Sequence, residues 1–241
     1  MLDQLDLNQI LFLDIETVPE HYKYDELDNE MKDLWEKKMK WQMERDSMDA
    51  ASIYEKAGIF AEFGKIVCIS VGYLVNSGTP SIKYRTTSFY GKDEKDLLKR
   101  FADLLNTHYH RKDRFLCAHN GKEFDFPFIA RRMLIKGIKL PLLLSIAGLK
   151  PWEIKHIDTM ELWKFGDYKH YTSLNLLAHL FSIPTPKDDI SGADVARVFY
   201  EEDDLERIVT YCEKDTIAVA QILLRFNNED LLKDENIIRV D

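Results

Sequence analysis

The chain has 241 residues, of which 45% are hydrophobic and 31% charged, and its net charge is −9. This acidic balance argues against a tight, non-specific nucleic-acid binder, which would be basic, and no apolar stretch is long enough to cross a bilayer. The three cysteines are widely spaced, and no basic N-terminal region precedes an apolar segment. We therefore expect one cytoplasmic domain over 1–241 with reduced, buried thiols and no signal peptide.

The first predicted element is a buried strand over 10–14, because a short apolar run ends there at Asp14. Alternate residues of a strand point the same way, so Asp14 and Glu16 would present two carboxylates on one face. Burying two such groups is costly unless a cation is present, which favours a hard divalent ion. The alternative is that both acids begin a solvated turn before Pro19.

A charged segment over 20–56 follows and predicts a helical insertion. Its apolar residues recur at helical spacing and form one stripe; they are Met31, Leu34, Trp35, Met39 and Met43. We expect this stripe to pack on its own domain. The alternative is a flap, or a partner-binding helix, beside the candidate site.

The rest of the chain predicts a mixed α/β protein, because strands and helices alternate along it. Strands are expected at 66–73, 81–86, 114–118 and 156–158, and the first two form a hairpin around a turn at 76–80. Helices are expected at 95–105, 124–138, 173–181, 191–200 and 204–226, followed by a C-terminal tail over 227–241.

Two more acids stand in informative places. Asp125 lies at the start of the helix over 124–138, where a negative charge is favourable, so simple capping is the alternative to a functional role. Asp215 lies four residues after Tyr211, which puts both on one face of the last predicted helix. The alternative for Tyr211 is a core aromatic with its hydroxyl at the surface.

Together these segments supply four carboxylates: Asp14, Glu16, Asp125 and Asp215. If they converge at one end of the sheet, they can hold two divalent ions that clamp the attacking and leaving oxygens of a phosphodiester. Tyr211 would then hydrogen-bond the attacking water and help remove its proton.

The three segments resemble the three motifs of the DEDD-type 3′→5′ exonucleases. The matching patterns are Asp14-x-Glu16, Asn120-x3-Phe124-Asp125 and Tyr211-x3-Asp215. Another branch has a histidine five residues before the last Asp, where this chain has Thr210, so the resemblance is to the tyrosine branch. The sequences at 12–17 and 61–70 look most like the stand-alone exonucleases related to the family B DNA polymerase domain.

This resemblance implies an RNase H-like fold, with helices on both faces of a mixed sheet. It also implies an enzyme that uses Mg²⁺ or Mn²⁺ and releases nucleoside 5′-monophosphates from single-stranded 3′ ends, with DNA favoured. It assigns metal binding to the four carboxylates, water positioning to Tyr211, and substrate contacts to Thr17, Asn120 and Phe124. Asp158 resembles an acid that orients a metal-binding side chain without binding the metal itself. The alternative is that Asp158 caps a helix.

Two other functions stay open at this point. A ribonuclease D-like enzyme would use the same chemistry on RNA, and contacts to the 2′-hydroxyl would decide between the substrates. A catalytically silent nucleic-acid-binding module would usually have lost one acid, and none is missing here.

Overall fold

A computed structural model describes residues 6–75, 82–167, 171–184 and 189–240. Within these ranges a six-stranded mixed sheet has the order β5–β4–β1–β2–β3–β6. The strands are Ile10–Pro19 (β1), Gly64–Val75 (β2), Lys83–Tyr90 (β3), Phe115–Ala118 (β4), Ile157–Asp158 (β5) and Ile237–Arg239 (β6). β1, β2 and β3 are successively antiparallel, whereas the pairs β1–β4, β4–β5 and β3–β6 are parallel.

Helices cover both faces of this sheet. They are Asn29–Asp46 (α1), Ala50–Ile53 (α2), Glu94–His108 (α3), Asp125–Ile135 (α4), Thr159–Lys164 (α5), Leu174–Leu180 (α6), Val195–Arg197 (α7) and Leu205–Phe226 (α8). Leu11 and Leu13 pack with α3 and α4, while Ile10 and Phe12 pack with α8 on the other face. This is the two-residue period of a strand buried on both sides. The predicted RNase H-like arrangement is confirmed.

The observed β1 is longer than predicted. It runs to Pro19 because its pairing with β2 continues that far, with a bulge between Glu16 and Thr17. Asp14 and Glu16 therefore lie inside the strand rather than at its end, because residues before and after them pair with β2.

Several elements differ from the sequence-based expectation for local reasons. β3 extends to Tyr90, four residues past the predicted end, because its pairing with β2 continues to Cys68. The helix expected at 191–200 begins at Val195 and continues as a π-helical turn over Val198–Glu202. α5 and β6 were not predicted, since elements of six and three residues are too short to show a period. The turn expected at 76–80 lies outside the described residues.

The insertion after β1 forms a hydrophobic cluster of its own. Trp35, which is completely buried, packs edge-on against Tyr54 and Phe63, and its indole N–H donates to the carbonyl of Ala50 at 3.0 Å. All residues of this cluster come from 24–63. The apolar stripe of α1 therefore packs within its own segment, apart from Leu34, which is 47% exposed.

A buried arginine joins the helices that flank the site. Arg132 on α4 makes two hydrogen bonds to Glu94 on α3, at 2.8 and 2.6 Å, and another to the carbonyl of Ala61 at 2.8 Å. It also binds Glu20, at the start of the insertion, at 3.0 Å. Since Glu94 in turn accepts the backbone N–H of Ile66, this network fixes α4 relative to β2.

Candidate active site

Asp14 and Glu16 are two residues apart on β1, so their side chains lie on the same face of the strand. One carboxylate oxygen of each and the sulfur of Cys212 lie within 4.8 Å of one another. Glu16 is only 7% exposed. The alternative of a solvated turn is therefore wrong, because both residues belong to a central strand.

Asp125 is the first residue of α4, and Phe124 precedes it at the N-cap position. Its side chain is 3% exposed. Burial raises the pKa of Asp125 to about 7, and the charge of Asp158 adds to this, although backbone N–H groups of Asp125 itself and of Ile15 oppose the rise. The N–H of Ile15 connects this carboxylate directly to the strand that carries the other two acids.

Tyr211 and Asp215 lie one turn apart on α8, and the Tyr211 hydroxyl hydrogen-bonds the Asp215 carboxylate. Burial first, and then the charge of Asp215, raises the pKa of Tyr211. Glu16 and Asp14 act on this hydroxyl in the same direction. The tyrosine therefore faces the acidic cluster instead of projecting its hydroxyl into solvent.

The four carboxylates interact electrostatically. Burial raises the pKa of Asp14 well above its usual value, and Glu16, Asp125 and Asp215 raise it further. Burial likewise raises the pKa of Glu16, followed by the charge of Asp215. The structure thus brings together acids from three distant segments of the chain.

The donor set fits a hard divalent cation. Within the described part of the chain, no lysine or arginine pairs with Asp14, Glu16 or Asp125. Buried carboxylates without a cationic partner are costly, and oxygen ligands are those that Mg²⁺ and Mn²⁺ prefer.

Asp158 connects the second motif to α5. Its carboxylate caps α5 by accepting the backbone N–H groups of Met160 and Glu161, at 3.0 and 3.2 Å. It also accepts those of Asn120 and Lys122, at 2.9 and 3.0 Å. The helix-cap alternative is therefore observed, and the same side chain holds the loop before Asp125, whereas a role in orienting a metal ligand stays a prediction.

The residues expected to touch substrate lie around this loop and β1. Asn120 has a left-handed backbone with φ 65°, and no donor among the described residues reaches its buried Oδ1. Thr17 follows Glu16 at the bulge and is half-buried. Phe124 packs on the core, with its ring 5.4 Å from that of Phe128.

Residues 59–236 match the profile of a protein family described as "Predicted 3'-5' exonuclease related to the exonuclease domain of PolB". The chain belongs to this exonuclease family. The matched region contains Asp125, Tyr211 and Asp215, whereas Asp14 and Glu16 precede it. The chain therefore carries a domain of the 3′–5′ exonuclease type, related to the exonuclease domain of PolB.

Curated relatives of this exonuclease are DNA polymerases. One from Pyrococcus glycovorans is 22% identical over 186 residues, which are 70% of this chain and 23% of the relative. Another, from Desulfurococcus sp. (strain Tok), is 21% identical over 193 residues, or 73% of this chain and 24% of the relative. The chain thus spans about a quarter of the length of these relatives.

The solved family B DNA polymerase from the hyperthermophilic archaeon Pyrobaculum calidifontis has a similar fold. The TM-score is 0.50 at 15% identity, covering 90% of this chain and 24% of that one. This likeness supports the RNase H-like architecture of the exonuclease.

Sequence reasoning missed one residue of the cluster. The Cys212 thiol of this exonuclease lies 3.3 Å from the backbone oxygen of Asp14 and 3.4 Å from its Oδ2. Its position next to Tyr211 on the helix was the available signal. All three cysteines are buried free thiols.

Among the described helices, none combines the length and apolar character that crossing a bilayer requires.

Proposed function

We propose that this exonuclease removes nucleotides stepwise from the 3′ end of single-stranded nucleic acid, with DNA favoured, and releases nucleoside 5′-monophosphates. The observation that carries the proposal is the meeting of four carboxylates and the Tyr211 hydroxyl at one face of β1. We propose further that 1–241 is one catalytic domain, with the insertion at 20–56 and the tail at 227–241, and that it works in the cytoplasm.

Asp14, Glu16, Asp125 and Asp215 would hold two divalent cations, Mg²⁺ or Mn²⁺. When bound, such ions supply Lewis-acid stabilisation of the charge that develops on the phosphate oxygens and lower the pKa of water. The elevated pKa values of Asp14, Glu16 and Asp125 support this assignment, because burial and neighbouring acids both penalise the ionised carboxylates and a bound cation would offset that penalty.

Tyr211 is proposed to position the attacking water. Its hydroxyl already hydrogen-bonds Asp215 and faces the other acids, so a water held between them would be oriented by two fixed groups. The raised pKa of Tyr211 keeps its proton on the phenol, which favours orientation over proton removal by this residue alone.

Three residues are proposed to receive the terminal nucleotide. Asn120 can contribute polar groups from its half-buried side chain, and Thr17 can contribute its hydroxyl or backbone. Phe124 is proposed to support this surface from below, since it is partly buried against the core. Asp158 holds the backbone of the Asn120 loop and so acts as a positioning residue.

Matched 5′-labelled DNA and RNA strands, incubated with Mn²⁺ or with EDTA, test these proposals. We expect a one-nucleotide ladder on single-stranded DNA that the chelator removes, and a weaker one on RNA or on blunt duplex. Asp14→Ala, purified identically, controls for contaminating nucleases and should give no ladder. Wild-type hydrolysis by this variant would refute the site, and preference for RNA would favour the ribonuclease alternative.

A further inference from the structure

A cleft lies on the face of the sheet opposite the acidic cluster. A cavity of about 430 Å³ opens between the sheet and the C-terminal end of α3, with Leu11 and Val71 in its lining. Since side chains alternate along β1, Leu11 faces away from Asp14 and Glu16, so the cavity and the acidic cluster lie on opposite faces of the sheet. Its volume falls in the range of small-molecule sites, roughly 300–1,000 Å³.

The lining of this cleft is positively charged. Arg85 and Arg114 contribute to it, and no carboxylate of the described residues does. Arg114 donates one N–H to the carbonyl of Asn8 at 2.9 Å, but its buried Nε finds no acceptor within the described ranges. Leaving a buried donor unsatisfied is unfavourable, so the Arg114 guanidinium retains unused hydrogen-bonding capacity at the wall of the cleft.

This arrangement differs from that of most arginines in the chain. Arg45, Arg100, Arg111, Arg132, Arg197, Arg207 and Arg239 each pair with a carboxylate. The guanidinium groups of Arg85 and Arg114 have no acidic partner in the described part of the chain. In a protein of net charge −9, two such groups beside one cavity indicate a local preference for an anion.

The walls of the cleft are aromatic. Tyr73 and Tyr109 line it, and the guanidinium carbon of Arg114 lies 5.9 Å from the centre of the Tyr109 ring. Guanidinium groups match phosphate geometry, and aromatic walls suit a flat ring. The C-terminal end of α3 opposes an anion, but by less than one hydrogen bond to a charged group contributes.

We propose that this cleft binds a phosphorylated nucleoside, with its phosphate between Arg85 and Arg114 and its ring against Tyr73 or Tyr109. The choice of compound rests in part on the proposed function, because a nucleoside 5′-monophosphate is its product. The same chemistry occurs at the 5′-phosphorylated end of a strand, so a free nucleotide and a strand end are the two sources to distinguish.

Binding is tested with the full chain carrying Asp14→Ala, in EDTA, so that neither hydrolysis nor cations at the acidic cluster contribute. The probes are dAMP, deoxyadenosine, inorganic phosphate, and 5′-phosphorylated and 5′-hydroxyl oligodeoxyadenylates, each titrated by calorimetry. Arginine Nε–H resonances are followed in parallel by NMR. We expect dAMP to bind and to shift the Arg114 signal, while deoxyadenosine and phosphate bind more weakly.

Arg85→Gln and Arg114→Gln should each weaken dAMP binding by roughly tenfold or more, the loss of one charge-assisted hydrogen bond. Arg131→Gln is the matched control, since Arg131 is exposed and does not line the cleft. Arg85 is also exposed, so its variant remains informative if Arg114→Gln fails to fold.

Failure of millimolar dAMP to bind would overturn the proposal, as would unchanged affinity in Arg85→Gln. Equal affinity for phosphate and dAMP would refute the nucleotide assignment. Tighter binding of the 5′-phosphorylated strand than of dAMP would support the site and assign it to strand ends, and equal binding would assign it to free nucleotides. Because hydrolysis by the wild type is measured separately, failure here and failure of the proposed function are distinct results.

Discussion

Replacing Asp125 by asparagine should stabilise the cation-free protein above neutral pH. The carboxyl of Asp125 is buried beside three other acids, and its pKa is raised from 3.8 to about 7. The Asp125→Asn side chain keeps the shape but carries no charge, so it removes the cost of ionising this position.

The sign and the size follow from proton linkage. Because the folded pKa of Asp125 lies above the unfolded value, the folded state binds this proton more tightly, and the resulting stability is complete below about pH 4. It is lost as pH rises through about 7. At about 1.4 kcal/mol per pKa unit, the loss amounts to about 4 kcal/mol.

Urea denaturation in EDTA at pH 5 and pH 8.5 measures this effect. The wild type should lose free energy of unfolding between the two values, whereas Asp125→Asn should lose about 3 kcal/mol less, because about two pKa units separate pH 5 from the folded pKa of about 7. Asp113→Asn is the matched control, because exposed Asp113 forms only a surface pair with Arg111 and should change stability by at most about 0.5 kcal/mol. Mn²⁺ should stabilise the wild type more than Asp125→Asn. An Asp125→Asn variant no more stable than wild type at pH 8.5 in EDTA would refute the reasoning.

Three further substitutions probe the site and its support. Asp215→Asn should abolish hydrolysis of a labelled strand while the chain remains folded, and a ladder at the wild-type rate would remove Asp215 from the site. Tyr211→Phe should slow single-turnover hydrolysis by roughly 10²–10⁴-fold, the usual contribution of a group in general acid–base catalysis. A negligible loss of rate would make Tyr211 a packing residue. Arg132→Met should lower the free energy of unfolding by up to roughly 3–5 kcal/mol, because buried Glu94 loses both hydrogen bonds to the guanidinium and keeps only its ion pair with Lys136, at 3.2 Å. The double variant Arg132→Met/Glu94→Gln should recover part of that loss. If the double variant were no more stable than Arg132→Met alone, this explanation would be contradicted.

The sequence carried much of the fold and of the candidate site. Alternation in β1 placed Asp14 and Glu16 on one face, and helical spacing placed Tyr211 beside Asp215, because both are local geometric rules. The divalent-cation site stays a prediction, made because like charges that converge in a protein interior need a shared cation.

Other features depended on contacts that no local pattern records. Asp158 accepts N–H groups from two loops, and the sulfur of Cys212 reaches Asp14 only once α8 packs across β1. The three residues of β6 form a strand because β3 presents an open edge to them. The arginine-lined cleft joins Arg85 and Arg114, which lie far apart in sequence.

The insertion after β1 has a structural consequence for how such a chain could arise. Its two ends meet, because Pro19 of β1 pairs directly with Gly64 of the neighbouring β2 and the N–H of Glu20 donates to the carbonyl of Phe63 at 2.8 Å. A tight turn would therefore suffice to close β1 and β2 into a plain hairpin. The intervening stretch, with its own small core around Trp35, can be gained, lost or exchanged between lineages while the rungs bearing Asp14 and Glu16 keep their register.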